Sequence, residues 1–325
     1  VRSIRGGLLL AVGIIAAMVI PAIASAAYPG ANGLIAYSGG APGPREIFNV
    51  SSVGGDPNRL TTNSVSDASP SWSADGRRIA FQRRCVRELC LWKVWTMRAD
   101  GANQRQITTG PGEYSAPHFS PGGGRIVMTH FSYRRGICHI IVMRTNGTDR
   151  RRLPGCGAPE FSPDGKRIAF AGAPSYLSSS DRGIWVMNRD GSHLRRLVKA
   201  DDDGASEVYQ PDFSPDGSHI VYSRCMPESP PHDCGYQAVV MRSGGGFKHV
   251  ISRDQQPQRP IFSPDGTRIA MSRGIPCSSE AYGGRIVTIA FNGTHPQVVT
   301  QPDVEECHEE SSDLEPNWQP IPPSW

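Results

Sequence analysis

One motif constrains this chain more than any other feature, because it keeps returning. In its fullest form it reads Pro159-Glu-Phe-Ser-Pro-Asp-Gly-Lys-Arg-Ile-Ala-Phe170, and close copies begin at Pro70, Pro117, Pro211 and Pro260. A truncated copy, Pro316-Asn-Trp-Gln-Pro320, stands near the end. Six starts spaced by 42 to 56 residues describe a repeat protein, in which each unit hides its apolar face against its neighbours.

Each copy has the chemistry of a β-hairpin. Pro-x-Phe/Trp-Ser is a short extended run. In Pro-Asp-Gly, proline presets φ, aspartate bonds the backbone just downstream, and glycine takes the positive φ that closes the turn. Arg-Ile-Ala-Phe then alternates polar and apolar, as a half-buried strand does. A second hairpin follows: from Ile184 a strand runs to a turn at Asp190-Gly191 and returns to Val198. Its counterparts turn at Asp100-Gly101, Asn146-Gly147, Gly244-Gly245 and Asn292-Gly293. The unit is therefore four antiparallel strands. The first-strand aromatics Trp72, Phe119, Phe161, Phe213, Phe262 and Trp318 are expected to fill one inter-blade position six times over. On this reading the motif is scaffold, remote from any ligand.

The two ends complement each other. Gly33-Leu-Ile-Ala-Tyr37 matches a second strand with no first, and Glu46 to Val50 and Asn58 to Thr61 match a third and a fourth. Pro316 to Gln319 supply a first strand with nothing after it. A ring closed by both ends removes open sheet edges, which an open solenoid would leave. The expected fold is all-β: a six-bladed β-propeller of four-stranded antiparallel blades over residues 28–325, closed by N- and C-terminal strands that share one blade (316–320 with 33–62).

The Phe-Ser-Pro-Asp-Gly-x-x-Ile-Ala-Phe signature, with its Met-Asn-x-Asp-Gly hairpin, resembles the WD40-like repeat of TolB-type propellers over roughly residues 30–320. That family includes a periplasmic partner of the Tol–Pal system, which carries an α/β domain ahead of its propeller. Few residues separate the export signal from the first strand here, so that extra domain is expected to be missing. Other related propellers are lyases that hold a divalent metal with histidines around the channel. The resemblance thus implies a fold and leaves the activity open.

Residues 1–27 read as a signal peptide: Arg2 and Arg5 precede an apolar run from Gly6 to Ile20, and Ala24-Ser25-Ala26 is a small-residue cleavage site. An uncleaved anchor is the alternative. The chain is therefore expected to be exported, whether periplasmic, cell-surface or secreted, with no membrane span in its mature part. Removing that segment leaves 32 basic against 30 acidic side chains, about +2 where the whole chain has +4. So small an excess gives no reason to expect nucleic acid as a partner. Arg150-Arg151-Arg152 and Arg195-Arg196 fall on fourth strands, where charge protects a sheet edge from pairing.

Eight cysteines in an exported chain suggest disulfides. Pairing neighbours within the repeat frame gives Cys85–Cys90, Cys138–Cys156, Cys225–Cys234 and Cys277–Cys307. The frame also separates two faces. First-to-second and third-to-fourth turns are short, uniform and on one side. Second-to-third loops and blade-to-blade linkers are long, varied and on the other side, and they hold the cysteines. Braced loops on a rigid scaffold are where binding tends to reside.

On that face several linkers carry an acid just before the first strand: Asp67, Glu113, Glu207, Asp254 and Asp313. These are the candidate binding residues, an acidic channel mouth suited to a cation or a basic peptide tail. The blander reading is that they cap turns and solvate linkers. The weak metal candidates are His308, Glu309 and Glu310 beside Cys307, because oxidised cysteines do not ligate and no His-Glu-x-x-His spacing occurs. His118 is expected to pack between blades. No nucleophile elbow, P-loop or dinucleotide fingerprint is present, and the nine histidines do not recur at equivalent blade positions. No catalytic residue and no cofactor is assigned, although a divalent cation in the channel stays open. The leading function is an exported, non-catalytic binding module, a monomer, that presents disulfide-braced loops and an acidic mouth to a protein or peptide partner in the cell envelope. The alternatives are a metal-assisted polysaccharide lyase or hydrolase working in the channel, and a structural envelope component.

Overall fold

Each Ser-Pro-Asp-Gly copy closes a tight hairpin in the computed structural model, which describes residues 29–40, 43–84, 91–174, 181–200, 204–227, 234–253, 256–276, 282–300 and 315–322. In the copy at Phe161, the Gly165 amide donates to the Ser162 carbonyl at 2.8 Å, and Gly165 takes φ of 64°. The Ser162 hydroxyl donates to Asp164 Oδ1 at 2.7 Å and accepts the Arg167 amide at 2.9 Å. Burial opposes the charge on Asp164, but the Ser162 hydroxyl and the Lys166 amide hold its carboxyl below the usual range. Asp75, Asp216 and Asp265 are held down in the same way. Blade two has Gly122 in place of the aspartate, and there the Ser120 hydroxyl alone receives the Arg125 amide, at 3.0 Å.

The strands pair into six four-stranded antiparallel sheets, the blades of a propeller. Blades one to five begin with first strands Asp67–Trp72, Glu113–Phe119, Pro159–Phe161, Glu207–Phe213 and Gln258–Phe262. In the closing blade, Asn317–Ile321 lies beside Ala31–Gly39, with Trp318 opposite Ile35 and Asn317 opposite Ala36. The two ends of the chain therefore shut the ring, as the sequence implies. Among the described residues no helix is long and apolar enough to cross a membrane.

The core is divided among the six joints. Each joint holds one apolar cluster, and each cluster contains one first-strand aromatic. All six aromatics are 0% to 5% exposed. The alternation of Ile-Ala-Phe has its reason here. Ile79 and Phe81 pack back toward the closing blade, with Trp72, while Ala80 faces forward and receives Phe119 of blade two. Ile168 and Phe170 face back in blade three, and Ala169 faces forward beneath Phe213. The small residue leaves room for the neighbour's ring. Arginines after the turn reach over the same joint: Arg78 lies 5.1 Å from the centroid of Phe119 and donates to the Gly123 carbonyl at 2.7 Å.

A disulfide joins Cys138, in the third strand of blade two, to Cys156, with Cα atoms 5.3 Å apart. Cys156 itself bridges to Ala173 beside the second strand of blade three, so the bond ties one blade to a segment laced onto the next. Cys225 is disulfide-bonded as well. Cys85, Cys90, Cys277, Cys307 and the side chain of Cys234 lie outside the described residues, as do residues 1–27, expected to be a signal segment, and most of the long loops. The junction after Cys156 requires glycine twice. Gly157 and Gly172 sit at φ of 152° and 147°, and a Cβ on either would stand 1.6 Å from the Ala171 carbonyl oxygen or 1.8 Å from that of Cys156.

Gly157→Ala and Gly172→Ala should each destabilise the fold by at least about 1–3 kcal/mol, the scale of a forced backbone conformation. Gly122→Ala, which meets nothing within 4 Å, is the control and should leave the thermal midpoint unchanged. Equal midpoints for wild type and Gly157→Ala would contradict the packing described.

Candidate functional site

First strands do not run straight past their prolines. Their pairing with the second strand slips between Ala68 and Ser71, Ser115 and His118, Tyr209 and Asp212, and Gln258 and Ile261. At each slip the residue before proline is left-handed: φ is 51° at Ser69, 49° at Ala116, 38° at Gln210 and 52° at Arg259. Such a conformation in a residue with a side chain costs roughly 1–3 kcal/mol, and proline ordinarily steers its predecessor to extended backbone. A bulge of this kind re-aims side chains. In these four blades residues beside proline line the central channel, and in blade three and the closing blade they do so without a slip at the proline. Those before proline are Ser69, Ala116, Ala158, Gln210, Arg259 and Glu315. Those after it include His118, Glu160, Asp212, Ile261 and Asn317.

The motif thus contributes residues to the channel wall, and His118, expected between blades, lines that channel. The aromatic does fill the inter-blade layer, but its neighbours face the channel, because the bulge breaks the period-two alternation on which the expectation rested. Burial lowers the His118 imidazole to about 4, so it is neutral at physiological pH. The signal for this lining was present in the sequence as inconstancy. Within an otherwise repeated motif, the residue before proline changes through Ser, Ala, Ala, Gln, Arg and Glu, and the residue after it changes through Ser, His, Glu, Asp, Ile and Asn.

Two carboxyls meet in the channel wall. Asp212 is 7% exposed, and its Oδ2 accepts the Phe262 amide of the next blade at 2.6 Å. Its carboxyl also shares a hydrogen bond with Glu160 of the preceding blade. Burial, then the adjacent Asp212 charge, push Glu160 well above the usual carboxyl range. Burial raises Asp212 to about 6 against the opposing hydrogen bonds from Glu160 and the Phe262 amide. The two carboxyls therefore titrate as a pair in which Glu160 is the more reluctant to ionise, and above about 6 the Asp212 side carries a negative charge. Across the channel Arg259 is ion-paired with Glu315, whose other oxygen accepts the Ser69 amide.

Beside the channel lies a cavity of about 380 Å³ between blades three, four and five. Tyr209 and Tyr236 form part of its wall, with ring centroids 5.8 Å apart and planes inclined at 45°. Gln210, Gln258 and Arg259 complete the polar lining, and Ala158, Gln210 and Arg259 also line the channel, so the two spaces adjoin. The Tyr209 hydroxyl donates to Glu207. Among the described residues the side-chain amides of Gln210 and Gln258 have no hydrogen-bond partner.

The three described acids of the expected channel mouth are each engaged. Asp67 is fully buried and receives Arg83 at 2.6 and 2.7 Å and Asn63 at 2.9 Å. Glu113 accepts the Tyr133 hydroxyl at 2.7 Å. Glu207 is ion-paired with Arg182. Asp254, Asp313, His308, Glu309 and Glu310 lie outside the described residues. Among the described residues no three histidine, cysteine or acidic side chains gather as a metal site.

Comparison with known proteins adds a family and a fold. The sequence profile described as the TolB beta propeller domain matches residues 87–320. An uncharacterised protein of Agrobacterium fabrum is 27% identical over 193 residues, which is 57% of this chain and 64% of that protein. The Tol-Pal system protein TolB of Anaeromyxobacter dehalogenans is 31% identical over 114 residues, 33% of this chain and 24% of that protein. This chain thus spans about a quarter of that TolB and less than two thirds of the Agrobacterium protein. Among solved structures, TolB from Acinetobacter baumannii superposes with a TM-score of 0.68 at 19% identity, over 89% of this chain and 67% of that one.

The carboxyl pair has a consequence for stability with a definite sign. A carboxyl whose pKa is raised by folding holds its proton when the unfolded chain has already released it. The pair's contribution is therefore full below about pH 4, the ordinary carboxyl range. It is lost as pH rises through about 6. Glu160→Gln/Asp212→Asn should flatten the dependence of the thermal midpoint on pH between about 4 and 7. Equal slopes for this variant and wild type would sink the shared proton.

Proposed function

The chain belongs to the TolB beta-propeller family, and on that premise we propose that it is an exported, non-catalytic binding module taking up a protein or peptide partner of the cell envelope at its loop-bearing face and channel mouth. The observation that carries this reading is the build of the channel wall. A repeated scaffold holds residues beside each proline that differ from blade to blade, and they adjoin a cavity whose glutamine amides have no partner among the described residues. Polar groups left open on rigid strands suit recognition, because no ordering is needed at the moment of binding. An envelope partner is supported by the name of the Tol-Pal relative. Export is supported by Arg2, Arg5, the apolar run from Gly6 to Ile20 and Ala24-Ser25-Ala26. Outer strands that are short or bear charge, as at Arg151 and Arg195, support a monomer.

A second reading keeps one observation in its favour. A carboxyl that holds a proton near neutrality, in a channel, is the kind of group that serves as a general acid. That reading is a lyase or hydrolase acting on a polysaccharide.

Both readings are tested with the full-length protein as bait in envelope extracts, beside Gln210→Ala/Gln258→Ala. Wild type should retain a protein that the variant loses at least about tenfold, the equivalent of roughly 1.4 kcal/mol. Equal recovery of every protein would remove the channel and its cavity as the binding site. A parallel incubation with acidic oligosaccharides and divalent metals, with and without EDTA, should give no product. Turnover in that arm would replace the binding module with an enzyme.

A further inference from the structure

The cavity beside the channel is more specific about its occupant than the binding reading alone requires. Its two tyrosine rings offer aromatic faces, and the carbonyl oxygens of Gln210 and Gln258 are acceptors with no partner among the described residues. The cation already present, Arg259, is bound by Glu315, so its charge is answered. The adjoining Glu160–Asp212 pair keeps one negative charge, and His118 is neutral. The cavity therefore offers aromatic faces and open acceptors, and the channel wall that adjoins it adds one negative charge. We propose that this cavity is a subsite for a single basic side chain, the ammonium of a lysine or the guanidinium of an arginine, presented by a peptide partner. This rests on the binding-module reading above and names the chemistry of what it binds.

The alternatives fit less well. An anionic group would face the carboxylate charge and would have to draw Arg259 from Glu315. A neutral sugar would use the rings and amides but leave the negative charge unanswered. A cation over an aromatic face is attracted by the ring's electron density, and desolvation strengthens that attraction. The volume, about 380 Å³, lies near the small end of ligand pockets, with room for a side chain and its stem rather than a folded segment.

The test uses the full chain and defined probes: N-acetylated, C-amidated Gly-Lys-Gly, Gly-Arg-Gly, Gly-norleucine-Gly and Gly-Glu-Gly, with cellobiose as a neutral sugar. Binding is read by saturation-transfer NMR titration. Both basic peptides should bind saturably, with the norleucine and glutamate peptides weaker by at least about tenfold. Glu160→Gln leaves the charge on Asp212 and should keep the affinity within about twofold, whereas Glu160→Gln/Asp212→Asn should weaken it at least about tenfold. Should the double variant fail to fold, wild type supplies the same information. Lowering pH through about 6 neutralises Asp212 and should weaken the basic probes alone. Norleucine binding as tightly as lysine, affinity indifferent to both the double variant and pH, or displacement of lysine by cellobiose would each overturn the subsite. Capture of an envelope protein without tripeptide binding would overturn the subsite and leave the binding module standing. Tripeptide binding without capture would do the reverse.

Discussion

The ring depends on one aromatic side chain per blade pressed onto a small residue of the blade before it. A single four-stranded sheet cannot bury either of its faces alone. Phe119 is covered only because Ala80 leaves space in blade one, and Phe213 only because Ala169 does so in blade three. Each joint lends its neighbours a surface, so the blades stand or fall with the ring. The two joints of the closing blade carry Trp72 and Trp318 where most of the other copies carry phenylalanine. The larger ring buries more area on both sides of the closing blade, and at the Trp318 joint it does so where distant segments of the chain meet.

Charge in this protein is governed by neighbours more than by residue type. Asp164 and Asp212 are both partly or wholly withdrawn from water, and burial opposes ionisation in each. Asp164 receives a hydroxyl and an amide, which hold its carboxyl below the usual range. Asp212 has another carboxyl for its partner and holds on to a proton toward neutrality. Partners and depth together thus produce a structural turn in one place and a poised group in another. Asp67 takes a third course, with Arg83 answering its charge inside the same blade.

Much of the architecture was legible in the sequence because its signals are local. Pro-Asp-Gly specifies a turn within four residues, and Ile-Ala-Phe specifies which way each side of the second strand faces. The complementary fragments at Gly33 and Pro316 fixed the closure. The channel was not legible in the same way. A proline normally keeps the preceding residue extended, so nothing local announces that Ser69, Ala116, Gln210 and Arg259 turn left-handed. Without that turn, strict alternation puts Asp212 between blades. The partners of the acids were hidden for a different reason. Arg83 meets Asp67, and Tyr133 meets Glu113, across strands whose register the bulges shift.

The bulge at four of the six prolines also separates two kinds of evolutionary change. Substitutions at the aromatic or at the small residue beneath it disturb a joint and, through it, the ring. Substitutions at the two positions flanking proline alter the channel lining and leave the apolar layers intact. Duplicated blades that began alike can therefore diverge inside the channel while remaining interchangeable as building blocks. A fold of this kind can acquire a new ligand by exchanging a few inward-facing side chains, with little loss of stability to hold that exchange back.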